Sequence, residues 1–134
     1  MKREAEEAQR PRFTPDDASD SVFDVAQALE RMEGDRELLE ELVHLFTDEW
    51  PKSVAEIEAA LKAAAATVLE RLAHGLKGAA ANVGAKRLSA AALDMERLAS
   101  ARNLKSIPGQ WEIVKKEAAT LLEEFERSFR KASR

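Results

Sequence analysis

The sequence predicts an all-α protein, an antiparallel up-and-down four-helix bundle with one or two short extra N-terminal helices. Residues with high helix propensity dominate the composition, above all alanine, glutamate, leucine, lysine and arginine. Apolar residues recur at helical spacing in several long segments, and the connections between these segments are short. The sequence contains no run of alternating apolar and polar residues with turn residues at its ends, so no strand is predicted. A length of 134 residues fits one domain.

The composition divides the chain into a charged N-terminal part and a helical domain. Residues 1–20 carry many charged side chains and contain Pro11 and Pro15. Such a segment has too little apolar surface to fold by itself, so we predict a flexible tail or a linker. The helical bundle domain is expected to span residues 21–131.

A short first helix is expected at the start of this domain. Asp20 and Ser21 both have side chains that suit a helix N-cap. Apolar residues follow at helical spacing up to Leu29, and Gly34 suits the position just after a helix end.

The second helix is expected over about residues 36–50. Asp35 can cap it, and its apolar residues form a wide face. Pro51 is expected to start or kink the next segment, because proline lacks the backbone N–H that an inner helical position uses. Helical spacing then continues as far as Ala64.

Three more helices complete the predicted bundle. They are expected over about residues 66–83, 85–102 and 110–131. Residues 103–109, which include Pro108, are expected to form the turn before the last helix.

The helix over residues 66–83 carries a histidine on its outer side. At about 100° per residue, His74 falls roughly opposite the apolar face of this helix. That face is formed by Leu69, Leu72, Leu76 and Val83. Lys77 and Gly78 lie one turn beyond the histidine, and Ala81 lies two turns beyond it. An exposed imidazole with an ammonium beside it is suited to carrying a phosphoryl group between proteins.

Two glycines flank this histidine in a helix where alanine would be easy to accommodate. A glycine inside a helix costs about 1 kcal/mol relative to alanine, so Gly75 and Gly78 sacrifice stability. Close approach of another backbone or a ligand would explain them. We therefore expect a partner to dock at Gly75, Gly78, Ala81 and Arg71, the last of which lies one turn before the histidine.

The polar residues also have simpler interpretations than a phosphoryl-carrying site. By spacing alone, His74 would be an ordinary surface histidine, and His44 is interpreted as a histidine at the edge of the bundle. A metal site from these two would need carboxylates, and no ligand spacing such as His-Glu-x-x-His exists. Glu70 can pair with Lys77 or with the imidazole, although a solvated position is the simpler interpretation.

A longer pattern resembles a known family. The run Ala73-His74-x-Leu76-Lys77-Gly78, followed by Asn82-Val83-Gly84-Ala85, resembles the histidine-containing phosphotransfer (HPt) domain of bacterial multistep phosphorelays. Upstream, Leu38-Leu39-x-x-Leu42-x-x-x-Phe46 and Pro51 are similar to the helices that precede the family's histidine helix. Downstream, Leu93-x-x-Glu96 resembles the next helix. The resemblance covers about residues 22–128.

This resemblance implies a function and its partners. The phospho-aspartate of a receiver domain would donate a phosphoryl group to Nε2 of His74, which would pass it reversibly to another receiver. Lys77 would contact the phosphoryl oxygens. The receiver would supply Mg²⁺, and the chain would bind no cofactor. The implied partners are response-regulator receiver domains, with a hybrid histidine kinase as a further candidate.

Two other functions stay open at the level of sequence. One is a helical adaptor without chemistry, and the other is the dimerisation and phosphoacceptor part of a histidine kinase. An acidic residue usually follows the histidine in that kinase family, whereas Gly75 follows it here. The chain has no glycine-rich phosphate loop, so it should not phosphorylate itself.

Composition also bears on partners and compartment. A net charge of -4 argues against nucleic acid as the main ligand. No stretch approaches the roughly 18 apolar residues of a membrane span, and no secretory signal is visible. The absence of cysteine excludes disulfides and cysteine-based zinc sites. We expect a cytoplasmic monomer.

Overall fold

Five helices make up the part of the chain that the computed structural model describes, residues 22–129. They are α1 (Val25–Arg31), α2 (Arg36–Lys62), α3 (Ala66–Asn82), α4 (Lys86–Ser100) and α5 (Ile107–Phe129). No strand occurs among these residues, which confirms the predicted all-α class. The predicted tail over residues 1–20 lies outside the described residues.

The four long helices form an antiparallel bundle, and α1 is the one short helix before it among residues 22–129. Helix α2 packs on α3 and α5, and α4 packs on the same two helices. The α3–α4 pair has the most extensive contact. The two helices are antiparallel. Lys77 contacts Ser89, near the start of α4, whereas His74, earlier on α3, contacts Glu96, later on α4.

Small residues let α3 and α4 pack closely. Ala73 and Ala80 on α3, and Ala92 and Ala99 on α4, are fully buried. Buried alanines allow two helix backbones to approach, and larger apolar side chains fill the rest of the core. The largest of these fully buried side chains are Leu39, Ile57, Leu69, Leu88, Met95, Ile107 and Leu121.

The predicted start of the first helix was wrong. Asp24 is its N-cap, and its Oδ1 accepts a hydrogen bond from the Gln27 backbone N–H at 3.0 Å. Asp20 and Ser21, the predicted caps, lie outside the described residues. The apolar residues before Asp24 pack on the bundle instead of forming a helical turn, since the ring of Phe23 lies edge-on to Phe125 at 4.8 Å.

The predicted end of the second helix at residue 50 was also wrong, because α2 continues through Pro51 as a helix of 27 residues. Proline removes one backbone hydrogen bond from the helix. Apolar residues on both sides of Pro51 pack into the same core, with Phe46 before it and Ile57 after it. Packing on both sides offsets the lost bond, so one long helix replaces the two predicted segments.

The predicted turn after α1 is confirmed, whereas the predicted turn before α5 is corrected. Gly34 has a positive φ of 81° after α1, and Asp35 caps α2 by accepting from the Leu38 N–H at 3.0 Å, as predicted. Helix α5 begins at Ile107, not near residue 110, and so includes Pro108. Proline fits there because the first turn of a helix does not use its N–H.

Gly84 joins α1 to the bundle at the end of α3. The backbone N–H of Asp24 donates to the Gly84 carbonyl at 2.9 Å. Gly84 has φ of 77°, and a Cβ added to it would lie 2.6 Å from the Asp24 carbonyl oxygen. Glycine is therefore needed here for both its conformation and its small size.

Across residues 22–129, no helix combines the length and the apolar character that a bilayer span requires.

Candidate functional site

His74 stands on the outer face of α3, with 66% of its side chain exposed. Its neighbours Ala73 and Leu76 are buried and hold the helix against the core. The ring therefore projects from a helix that is packed on the core, and most of its side chain remains accessible. This placement agrees with the outward orientation that helical spacing predicted.

A carboxylate from the neighbouring helix contacts both polar residues of the motif. Oε2 of Glu96 lies 3.0 Å from Nδ1 of His74, and Oε1 of Glu96 lies 3.0 Å from Nζ of Lys77. Glu96 itself is 19% exposed. The three side chains therefore form a histidine–glutamate–lysine cluster along the edge of the α3–α4 interface.

The hydrogen bond to Glu96 favours one tautomer of the His74 ring. An ionised carboxylate only accepts hydrogen bonds, so Nδ1 must carry the proton that it donates. In the neutral imidazole, Nε2 then has the lone pair. Glu96 therefore favours the tautomer whose nucleophilic nitrogen is Nε2.

The same contacts keep Glu96 ionised. The Lys77 ammonium, which lies 3.0 Å from Oε1 of Glu96, is the main cause that holds the pKa of Glu96 below its ordinary value. Partial desolvation acts in the opposite direction, and the hydrogen bond with His74 lowers the pKa further. A carboxyl with a lowered pKa stabilises the fold above its unfolded pKa, and this stabilisation is lost as the pH falls through the folded pKa.

We expect the Glu96 carboxyl to titrate below the ordinary glutamate range when followed by ¹³C NMR. Lys77→Ala should move this pKa upward by more than His74→Gln does, because the lysine is the larger cause. A larger upward shift of the Glu96 pKa in the histidine variant would contradict the conclusion that Lys77 is the main cause of its lowered pKa.

The two glycines beside the histidine are not required by internal packing. A Cβ added to Gly75 or to Gly78 would meet no atom within 4 Å. Both residues are exposed, and Ala81 is half-buried. The surface around His74 is therefore low and open, as the small size of these residues suggested.

An apolar groove runs beside the histidine between α2 and α3. It has a volume of about 480 Å³ and is lined largely by apolar side chains, among them Leu42, Leu45, Phe46, Trp50 and Leu72. Gly75 forms part of its wall next to His74, and Arg71 and Glu49 add one charge of each sign. Leu45 remains 55% exposed at its rim. Arg71 and Gly75 thus share one surface, whereas Gly78 and Ala81 lie outside the groove.

The remaining polar candidates have no place in this cluster. Glu70 lies 3.8 Å from Arg102 and makes neither of the contacts that it was considered for. His44 is exposed on α2, in a separate depression that includes Glu126. Within residues 22–129, no group of three or more histidine, cysteine or acidic side chains is arranged to hold a metal ion.

Glu96 is the residue of this cluster that sequence reasoning missed. Its segment was noted only as part of the family resemblance, with no role for the carboxylate. Glu70, one helical turn from His74, was weighed instead because helical spacing reveals neighbours only within one helix. Glu96 is 22 residues away and reaches the histidine through the packing of α4.

The Hpt domain family model matches residues 41–131, which is more than half of the chain. The chain therefore belongs to the Hpt domain family, and its function is histidine phosphotransfer in phosphorelays.

One solved structure similar to this chain is histidine-containing phosphotransfer protein B (HptB) from Pseudomonas aeruginosa PAO1. The TM-score is 0.76 at 24% sequence identity, over 82% of this chain and 96% of that chain. At this identity the likeness supports the helical bundle fold only. Among curated proteins, none matches the chain significantly.

Proposed function

We propose that His74 accepts a phosphoryl group on Nε2 from the phospho-aspartate of one receiver domain and passes it to the aspartate of another. The observation that carries this proposal is the 3.0 Å contact between Nδ1 of His74 and Glu96. It leaves Nε2 as the nucleophilic nitrogen on the exposed edge of the ring. Membership of the Hpt domain family supports the same assignment.

The proposed transfer step requires only the side chains of this chain and the aspartyl phosphate of the receiver. Nε2 attacks phosphorus, the bond from phosphorus to the aspartate oxygen breaks, and the aspartate leaves as a carboxylate. The proton on Nδ1 stays in place beside Glu96. Mg²⁺ belongs to the receiver in this proposal, and the chain binds no cofactor.

The groove between α2 and α3 supports a docking role for this face. Its apolar lining begins at Gly75, next to His74, so a partner seated there would bring its reactive aspartate close to the ring. Arg71 adds a cation at the same edge. Receiver domains are the partners we propose, including the receiver of a hybrid kinase, and we propose that the chain acts as a monomer.

The direct test is transfer from purified, ³²P-labelled receivers to the full chain. Label that moves to the chain and is lost in acid but kept in base identifies phosphohistidine. A helical adaptor would take up no label. The phosphoacceptor part of a kinase would show the mass of a dimer in solution.

Gly78→Gln should impair transfer from receivers without destabilising the fold. A Cβ added at Gly78 would meet no atom within 4 Å, so we expect the longer side chain to extend outward beside His74 and obstruct a large partner. Phosphorylation by a small donor such as phosphoramidate should be affected much less. The melting temperature should stay equal or rise, since glycine costs about 1 kcal/mol in a helix.

Ala119→Gln is the matched control for this variant. Ala119 is exposed on α5, which is diagonal to α3 across the bundle. The same side chain there should leave transfer unchanged. Unimpaired transfer in Gly78→Gln would remove Gly78 from the docking surface.

A further inference from the structure

One carboxylate contacts both the imidazole and the ammonium at this site, and the two contacts are separate. Oε2 of Glu96 faces the imidazole, and Oε1 faces the Lys77 ammonium. Oε1 is closed off from solvent, and the Lys77 ammonium lies 3.0 Å from it. If Lys77 moved away, this oxygen would become a buried charged acceptor without its cation, which is unfavourable.

Lys77 is also the residue expected to contact the phosphoryl oxygens. Its side chain is 29% exposed and ends in a compact ammonium on a flexible stem, so it can change partners by rotating. A phosphoryl group carries a charge of about -1.5 to -2, compared with -1 for the carboxylate. The stronger anion should therefore attract the ammonium once His74 is phosphorylated.

We propose that phosphorylation of His74 moves Nζ of Lys77 from Oε1 of Glu96 to the phosphoryl oxygens, and that Glu96 thereby limits the lifetime of the phosphohistidine. This inference rests on the proposed role of His74. Glu96 acts as a positioning residue with two opposing effects. It directs Nε2 outward, and it competes with the phosphoryl group for Lys77.

The competition matters because it keeps the phosphoryl group transferable. An ammonium on the phosphoryl oxygens stabilises the full charge of the phosphohistidine. Phosphoryl transfer proceeds through a loose transition state in which charge moves toward the leaving group, so this contact slows loss of the group. The stabilisation that this contact gives the phosphohistidine is offset because Oε1 of Glu96 loses its cation when Lys77 moves.

Glu96→Gln separates the two effects. The amide oxygen of glutamine still accepts a hydrogen bond from Nδ1 of His74, but the amide has no charge to hold Lys77. The full chain, phosphorylated with phosphoramidate, forms the N–P bond at Nε2 as the donor's P–N bond breaks and ammonia leaves. After the donor is removed, water attacks phosphorus, the Nε2–P bond breaks and the imidazole of His74 is regenerated, and ³¹P NMR follows the release of inorganic phosphate.

The half-life of the phosphohistidine should rise about two- to fivefold in Glu96→Gln, the range expected for one partly exposed ion pair. Lys77→Ala should shorten it. In the double variant Lys77→Ala/Glu96→Gln, the gain from the glutamine should disappear, because the gain acts through the lysine. Lys52→Ala, which removes an exposed lysine of α2, is the control and should leave the half-life unchanged.

Two results would overturn the inference, and they differ from failure of the proposed function. An unchanged or shorter half-life in Glu96→Gln would exclude competition for Lys77. An equal gain with and without Lys77 would show that Glu96 acts through the imidazole only. If wild type takes up no phosphoryl group at all, the role of His74 fails and this inference fails with it.

Discussion

His74→Gln is expected to abolish phosphorylation of the chain by receivers and by phosphoramidate alike. Glutamine has a similar length but no nucleophilic ring nitrogen, so no N–P bond can form. Because 66% of the side chain is exposed, the free energy of unfolding should change by no more than about 0.5 kcal/mol. Acid-labile label and thermal melting by circular dichroism measure the two quantities on the same samples.

His44→Gln is the matched control, since the chain has 2 histidines in all. It makes the same chemical change on the exposed side of α2 and should leave phosphorylation intact. Label retained in His74→Gln and lost in His44→Gln would reverse the assignment. A large loss of stability in His74→Gln would instead mean that the histidine is a structural residue.

Gly84→Ala is expected to destabilise the fold more than any exposed substitution near the site. Alanine at φ of 77° costs about 1–2 kcal/mol. Its Cβ would lie 2.6 Å from the Asp24 carbonyl oxygen and 3.1 Å from Cβ of Ala28, so α1 must shift, at a further cost of about 1–3 kcal/mol. The melting temperature should fall by roughly 7–18 °C.

Gly75→Ala is the control for this effect and should have the opposite sign. It makes the same substitution where a Cβ meets no atom within 4 Å, so it should stabilise the helix by up to about 1 kcal/mol. Chemical denaturation of both variants tests the contrast. Equal stability of Gly84→Ala and wild type would show that the contact between α1 and the end of α3 is not tight.

The helices and the exposed histidine were within reach of sequence reasoning because both depend on local spacing. The 3.6-residue period locates α3 and sets His74 opposite its leucines, and Asp35 marks the start of α2 by its capping chemistry. Pro51 misled the same reasoning. A local rule treats proline as a break, whereas apolar contacts on both sides of it keep α2 continuous.

What the sequence by itself determined is therefore the all-α class, most of the helices and the outward position of His74. Only the tertiary structure decided how that histidine is held and what surrounds it. Glu96 reaches Nδ1 from α4, and the groove beside Gly75 needs side chains from both α2 and α3. The physical reason is that periodicity describes the faces of one helix, while contacts between helices depend on how those faces pack together.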